Sequence, residues 1–144
     1  MACIFQDLRI RRVSSVLGLV GLLAVPMAAQ TLNFEEYRAK IEPIFAKKRE
    51  GHARCVSCHS ASNNAFKLVP LSPGATKWTE EQSHKNFESV SDLVAPGKPE
   101  VSPLLMHPLA HDAGGDLFHS GGRQFTSKND PDWKAIAAWI KSAK

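Results

Sequence analysis

The sequence predicts an all-α fold of several short helices joined by long loops, and three observations predict it. Apolar residues recur near helical period at both ends of the chain, as Phe34, Tyr37, Ile41 and Phe45 and then as Trp133, Ile136, Ala137 and Ile140. Residues that start helices stand before each such segment, at Asn33, Thr79, Ser102 and Asp130. Between them, prolines and glycines recur closely enough to keep every helix short.

Asn33 caps the first helix, and Glu36 is placed to reach back in a capping box. Pro43 should kink or end this helix, since it lacks an N–H and its ring crowds the preceding turn. Residues 47–54, charged and carrying Gly51, lead into Cys55-Val56-Ser57-Cys58-His59. Phe66-Lys67-Leu68-Val69 reads as a brief extended piece, closed by Pro70, Pro73 and Gly74. Thr79 with Gln82 opens a helix over about residues 80–93, with Phe87, Val90 and Val94 on its apolar face. Ser102-Pro103 opens a short one through Leu104, Leu105 and Met106. Residues 113–122 form a Gly-rich loop whose glycines permit close backbone approach to a large planar ligand. Asp130 caps the last helix with Pro131 at its first position, and Trp133 and Trp139 point to packing on the first helix.

The chemistry lies in the Cys55 to His59 motif. Two thiols three positions apart sit about one helical turn from each other, so each can add to one vinyl group of the same porphyrin. His59 then delivers its imidazole to one face of the iron. Two other chemistries use such a thiol pair. A zinc site needs a second pair of soft ligands, and the only other cysteine is Cys3; a redox dithiol of the thioredoxin type wants a βαβ pattern, which is not visible. The motif therefore predicts one covalently bound haem c, with Cys55 and Cys58 as thioether anchors and His59 as proximal iron ligand.

Residues 1–29 have the features of a secretory signal peptide: Arg9, Arg11 and Arg12, an apolar run over residues 13–25, and Pro26-Met27-Ala28-Ala29 for cleavage. The apolar run is shorter than the roughly 20 residues of a membrane span, with a signal anchor as the alternative. Export agrees with the haem reading, because c-type haem is attached outside the cytoplasm, on the periplasmic side in bacteria. The remaining residues 30–144 form one domain by length. Taking the three arginines from 18 basic side chains and Asp7 from 14 acidic ones leaves 15 against 13, a balance that argues against a nucleic-acid partner.

The order of opening helix, CxxCH turn, short helices, ligand loop and C-terminal helix resembles class I cytochrome c domains. Closer to hand, Ile41-Glu42-Pro43-Ile44-Phe45, Pro96-Gly97-Lys98-Pro99-Glu100 and Asp132-Trp133 through Trp139-Ile140 resemble small single-haem domains of bacteria. The resemblance implies a cytochrome c-like fold around one haem and a distal ligand, usually methionine, from a loop before the last helix. Met106 lies 33 positions before Trp139, within an apolar run; His119 lies 20 positions before it, in the Gly-rich loop. The resemblance therefore favours His59 and His119 as a bis-histidine pair, with Met106 next and His107 or His111 behind it. It implies a low-potential, non-enzymatic carrier of single electrons with redox proteins as partners, membrane-associated or multi-haem ones among them. The competing expectations are a haem enzyme or small-ligand sensor with an open distal face, and a haem module of a larger assembly.

Overall fold

A computed structural model describes residues 30–144. The basic and apolar segment of residues 1–29, with the export signal read there, lies outside the described residues. Among those described, the structure is mostly helical and has no strand, and no helix is long and apolar enough to cross a membrane.

The first helix is three abutting segments: α1, Phe34–Glu36; a π-helical turn, Tyr37–Ile41; and α2, Glu42–Ala46. Asn33 accepts the Glu36 N–H at 2.7 Å, as a cap should. The expected capping box does not close, because the Glu36 carboxylate turns to Lys40 instead. Nor does Pro43 break the helix. The Glu42 N–H reaches the Tyr37 carbonyl, a turn wider by one residue, and the helix resumes through the proline to Ala46. The wider turn brings Glu42 under Tyr37 and into the interior, beside Ile41, Ile44 and Phe45.

The Cys55 to His59 motif forms α3, Cys55–His59, and an extended stretch without strand partners follows it, with Leu68 buried. The helix α4 covers Glu80–Ser91 and opens with the expected capping box, Gln82 N–H to Thr79 Oγ1 and Thr79 N–H to Gln82 Oε1. After a 3-10 turn over Pro99–Val101 comes α5, Pro103–Met106. Ser102 occupies the position before α5 but does not cap it: its hydroxyl accepts the Ala95 N–H at 3.0 Å and donates to the Lys98 carbonyl at 2.9 Å, closing the preceding loop. A second 3-10 turn covers His111–Ala113, and a parallel bridge joins Leu109 to Phe125.

The helix α6, Pro131–Lys141, buries Trp133, Ile136, Trp139 and Ile140. Trp139 packs on Tyr37 with ring centroids 5.6 Å apart, and its indole N–H donates to the Asn33 carbonyl at 2.9 Å, so the last helix lies on the first. The Asp130 carboxylate accepts the N–H groups of Asp132 and Trp133. It also takes Arg49 through both guanidinium nitrogens, at 2.9 and 3.1 Å. Arg49 bonds Asp132 and the Gln124 carbonyl as well, and lies 4.8 Å from the centre of the Phe125 ring. One side chain thus ties the loop before the CxxCH motif to the cap of the last helix.

Arg49 and both of its carboxylate partners are less than one-fifth exposed. Replacing Arg49 by Met leaves the largely covered Asp130 without its cation and Asp132 with Lys47 alone, at 2.9 Å, and denaturant titration should show a loss of about 2–4 kcal/mol, between the costs of exposed and fully buried pairs. The Arg49 hydrogen bond holds the Asp130 carboxyl below its ordinary 3.8. A carboxyl depressed in the folded state stabilises above its unfolded value, and that stability is lost as pH falls through the folded one. Stability of Arg49→Met should therefore depend less on pH below about 4 than that of the parent chain.

Candidate haem cavity

The CxxCH turn forms one wall of a cavity of about 430 Å³, a size usual for cofactor sites. Cys55, Cys58 and His59 all line it, on a helix held in place by Val56, which is buried in the core. Phe45, Phe66, Leu104, Phe125 and Ile136 supply apolar walls, drawn from the first helix, the extended stretch, α5, the bridge and α6.

Both thiols are free. Burial pushes the Cys55 thiol up to about 11 despite the nearby Arg49 charge. The raised Cys55 thiol is the more covered of the two and belongs to the wall of the cavity. Among the described residues no three His, Cys, Asp or Glu side chains converge in a group that could hold a metal ion.

Of the three histidines on the cavity, His59 and His119 are arranged alike. His59 Nδ1 lies 2.9 Å from the Phe66 carbonyl and 3.2 Å from Asn64 Oδ1; His119 Nδ1 lies 2.6 Å from the Gly122 carbonyl. Carbonyl oxygens only accept, so each Nδ1 carries the proton and each neutral ring keeps its lone pair on Nε2. That is the tautomer of a metal-binding imidazole with a backbone carbonyl behind it. Burial pushes His119 below its ordinary value, as do the nearby His59 and Arg123, while the Gly122 carbonyl works the other way. The neutral ring that a ligand must present is thereby favoured.

The His59 and His119 ring centres are 6.2 Å apart with planes 29° from parallel. With metal–nitrogen bonds of about 2.0 Å and each nitrogen about 1.2 Å from its ring centre, two imidazoles ligating one ion end to end have centres about 6.4 Å apart. The spacing, the free Nε2 atoms, the thiols on the wall and the apolar lining fit a haem c held by Cys55, Cys58, His59 and His119.

The other distal candidates lie differently. Met106 is half-buried at the end of α5 and does not line the cavity. His111 is exposed, away from the cavity, with Nδ1 3.1 Å from the Gly115 carbonyl. His107 also lines the cavity, with Nδ1 engaged by the Asp116 carboxylate and Nε2 left free as in the other two; it differs from His119 in being about half exposed and in having no ring partner in His59.

The Gly-rich loop carries His119 by a means different from the one its glycines suggest. Gly115 meets the protein itself: a Cβ there would lie 2.6 Å from the Leu109 carbonyl carbon. Gly121 is the glycine on the cavity, 3.3 Å from His119 Cε1 when given a Cβ, and Gly122 turns the chain at φ +79°. Sequence reasoning missed the Phe66 and Gly122 carbonyls, Asn64 and the Arg49 clamp. Backbone acceptors carry no residue signature, and Arg49 reads as one more charge in a polar loop.

Gly115→Ala should cost about 1–3 kcal/mol through forced backbone movement, read by thermal or denaturant unfolding. Gly114→Ala is the comparison that meets no backbone, although its φ of +94° disfavours any side chain.

No family model, curated protein or solved structure matches the chain.

Proposed function

We propose that the chain is an exported single-electron carrier with a cytochrome c-like fold, built on one haem c. The observation that carries this reading is the pairing of His59 with His119, 6.2 Å apart across a cavity walled by the CxxCH thiols, each with Nδ1 committed to a backbone carbonyl. Bound there, the haem supplies a one-electron ferric/ferrous couple.

The chain's residues do the rest. Cys55 and Cys58 anchor the macrocycle through thioethers, so it is not lost in a dilute compartment outside the cytoplasm. His59 and His119 would both ligate the iron, and with two protein ligands the group would favour electron transfer over catalysis. Donation from each Nδ1–H to its carbonyl increases the basicity of the imidazole and supports the ferric state. Two imidazoles without a thioether give a lower potential than a Met/His pair. The apolar walls would lower the polarity around the bound group, one of the levers on its potential. Partners are other redox proteins, reached from the periplasm.

The test is expression through a bacterial c-type maturation system. Haem should remain on the chain after acidic organic extraction, and Cys55→Ala with Cys58→Ala should release it; haem that extracts from the parent chain would sink the reading. The ferric protein should be low-spin without a methionine-to-iron charge-transfer band.

His119→Met should raise the reduction potential, and His119→Ala should open one coordination position and admit carbon monoxide to the reduced protein rapidly. Rapid carbon monoxide binding by the parent chain would favour a ligand-binding sensor or enzyme instead.

A further inference from the structure

The stretch that follows α3 is held from two sides. The N–H groups of Lys67, Leu68 and Val69 are all accepted in turn: by Ser89 Oγ at 2.9 Å, by the His59 carbonyl at 3.0 Å and by Asn86 Oδ1 at 2.8 Å. Alternate positions of an extended chain point to opposite sides, so Lys67 and Val69 address α4 while Leu68 addresses His59. Ser89 and Asn86 stand three positions apart and share one face of α4. The carbonyl just before this run belongs to Phe66, and it is the one that His59 Nδ1–H meets at 2.9 Å.

Asn86 is itself fixed in orientation. It is fully buried, and its Nδ2 donates to Glu42 Oε1 at 3.2 Å. Ser83, also fully buried, donates to the other Glu42 oxygen at 2.7 Å. Glu42 is 5% exposed and takes these bonds from neutral donors. Burying a carboxylate this way is costly, and apolar residues of similar size would hold α2 against α4 at least as well. They would not supply a fixed acceptor for the Val69 N–H. With Nδ2 committed to Glu42, the side chain of Asn86 cannot flip, and its oxygen faces residue 69.

We infer that Asn86, oriented by Glu42 and Ser83, is a positioning residue for His59: it fixes the run of residues 66–69, and so the strength of the bond from His59 Nδ1–H to the Phe66 carbonyl. This rests on the haem reading above. A stronger bond makes the imidazole a better electron donor and favours ferric iron, so a looser run should favour ferrous.

The test uses the haem-loaded protein. Asn86→Ala should shift the ferric/ferrous ratio about three- to tenfold towards ferrous at fixed poise, tenfold being 59 mV for one electron. The His59 Nδ1 proton of the reduced protein, followed by NMR, should exchange faster with solvent. Ser89→Ala removes the second acceptor at a half-buried site and should shift both readouts the same way by less, which keeps the test alive where Asn86→Ala does not fold. Thr79→Ala destabilises the same helix without touching the run and should leave the potential unchanged. The inference is overturned by parent-like potential and exchange in Asn86→Ala, or in Ser89→Ala where only that variant folds, and equally by a shift as large in Thr79→Ala. Failure of the haem reading has its own signature, an unmodified chain that carries no covalent haem, and that result overturns both.

Discussion

The constraint on which the rest of this structure depends is the delivery of two imidazoles to one cavity, with ring centres 6.2 Å apart, from parts of the chain 60 residues distant in sequence. His59 comes on a helix whose position follows from the cysteines beside it and from Val56 in the core. His119 comes on a loop, and a loop has to be given a shape. The bridge from Leu109 to Phe125 and the close approach of Gly115 to Leu109 give it one from behind. The bond to the Gly122 carbonyl sets the ring itself. Arg49 then closes the far side by joining the stretch before the cysteines to Gln124 and the cap of α6.

The cavity also sets the energetics. Apolar side chains that face a cavity of about 430 Å³ lack packing partners on that side, so the interior of this chain is incomplete there. The rest of the core is one continuous cluster, which runs from the contact of the first helix with α6, through Tyr37, Ile41, Trp139 and Ile140, to Leu68 and Leu105.

Much of the fold was legible in the sequence because its signals are local. The Thr79–Gln82 box, the Asp130-Pro131 start and the stripe of α6 need only a few adjacent residues, and each appears where its chemistry puts it. The CxxCH turn is local in the same sense. What escaped depends on partners far along the chain or on departures from the 3.6-residue period. Ser102 has the right neighbours for a cap, yet Ala95 and Lys98 take its hydroxyl. Glu36 has the right spacing for a capping box, yet Lys40 offers a charge. Glu42 falls outside the apolar face of a regular helix drawn through Tyr37, Ile41 and Phe45, and only the wider turn before it brings it inside. His119 was singled out by its place before the last helix; its carbonyl partner and its spacing from His59 are tertiary facts.

The two sides of the cavity are not equivalent, and the difference bears on how such a site would behave. His59 is tied to residues 66–69, which are tied to α4, which is tied through Asn86 and Ser83 to a buried carboxylate on α2. To move its ring, several buried hydrogen bonds in three elements must change together. His119 is tied through Nδ1 to a carbonyl three residues away, in a loop whose neighbouring Leu117 and Phe118 are largely exposed. Its ring can turn with far less disturbance to the core. Opening therefore costs least on the His119 side, so under the proposed reading a second ligand would be exchanged there, while Cys55, Cys58 and His59 would hold the group in place. The same asymmetry divides the tuning of the couple: the rigid side sets a stable donor strength through hydrogen bonding, and the loop side decides which second ligand is present.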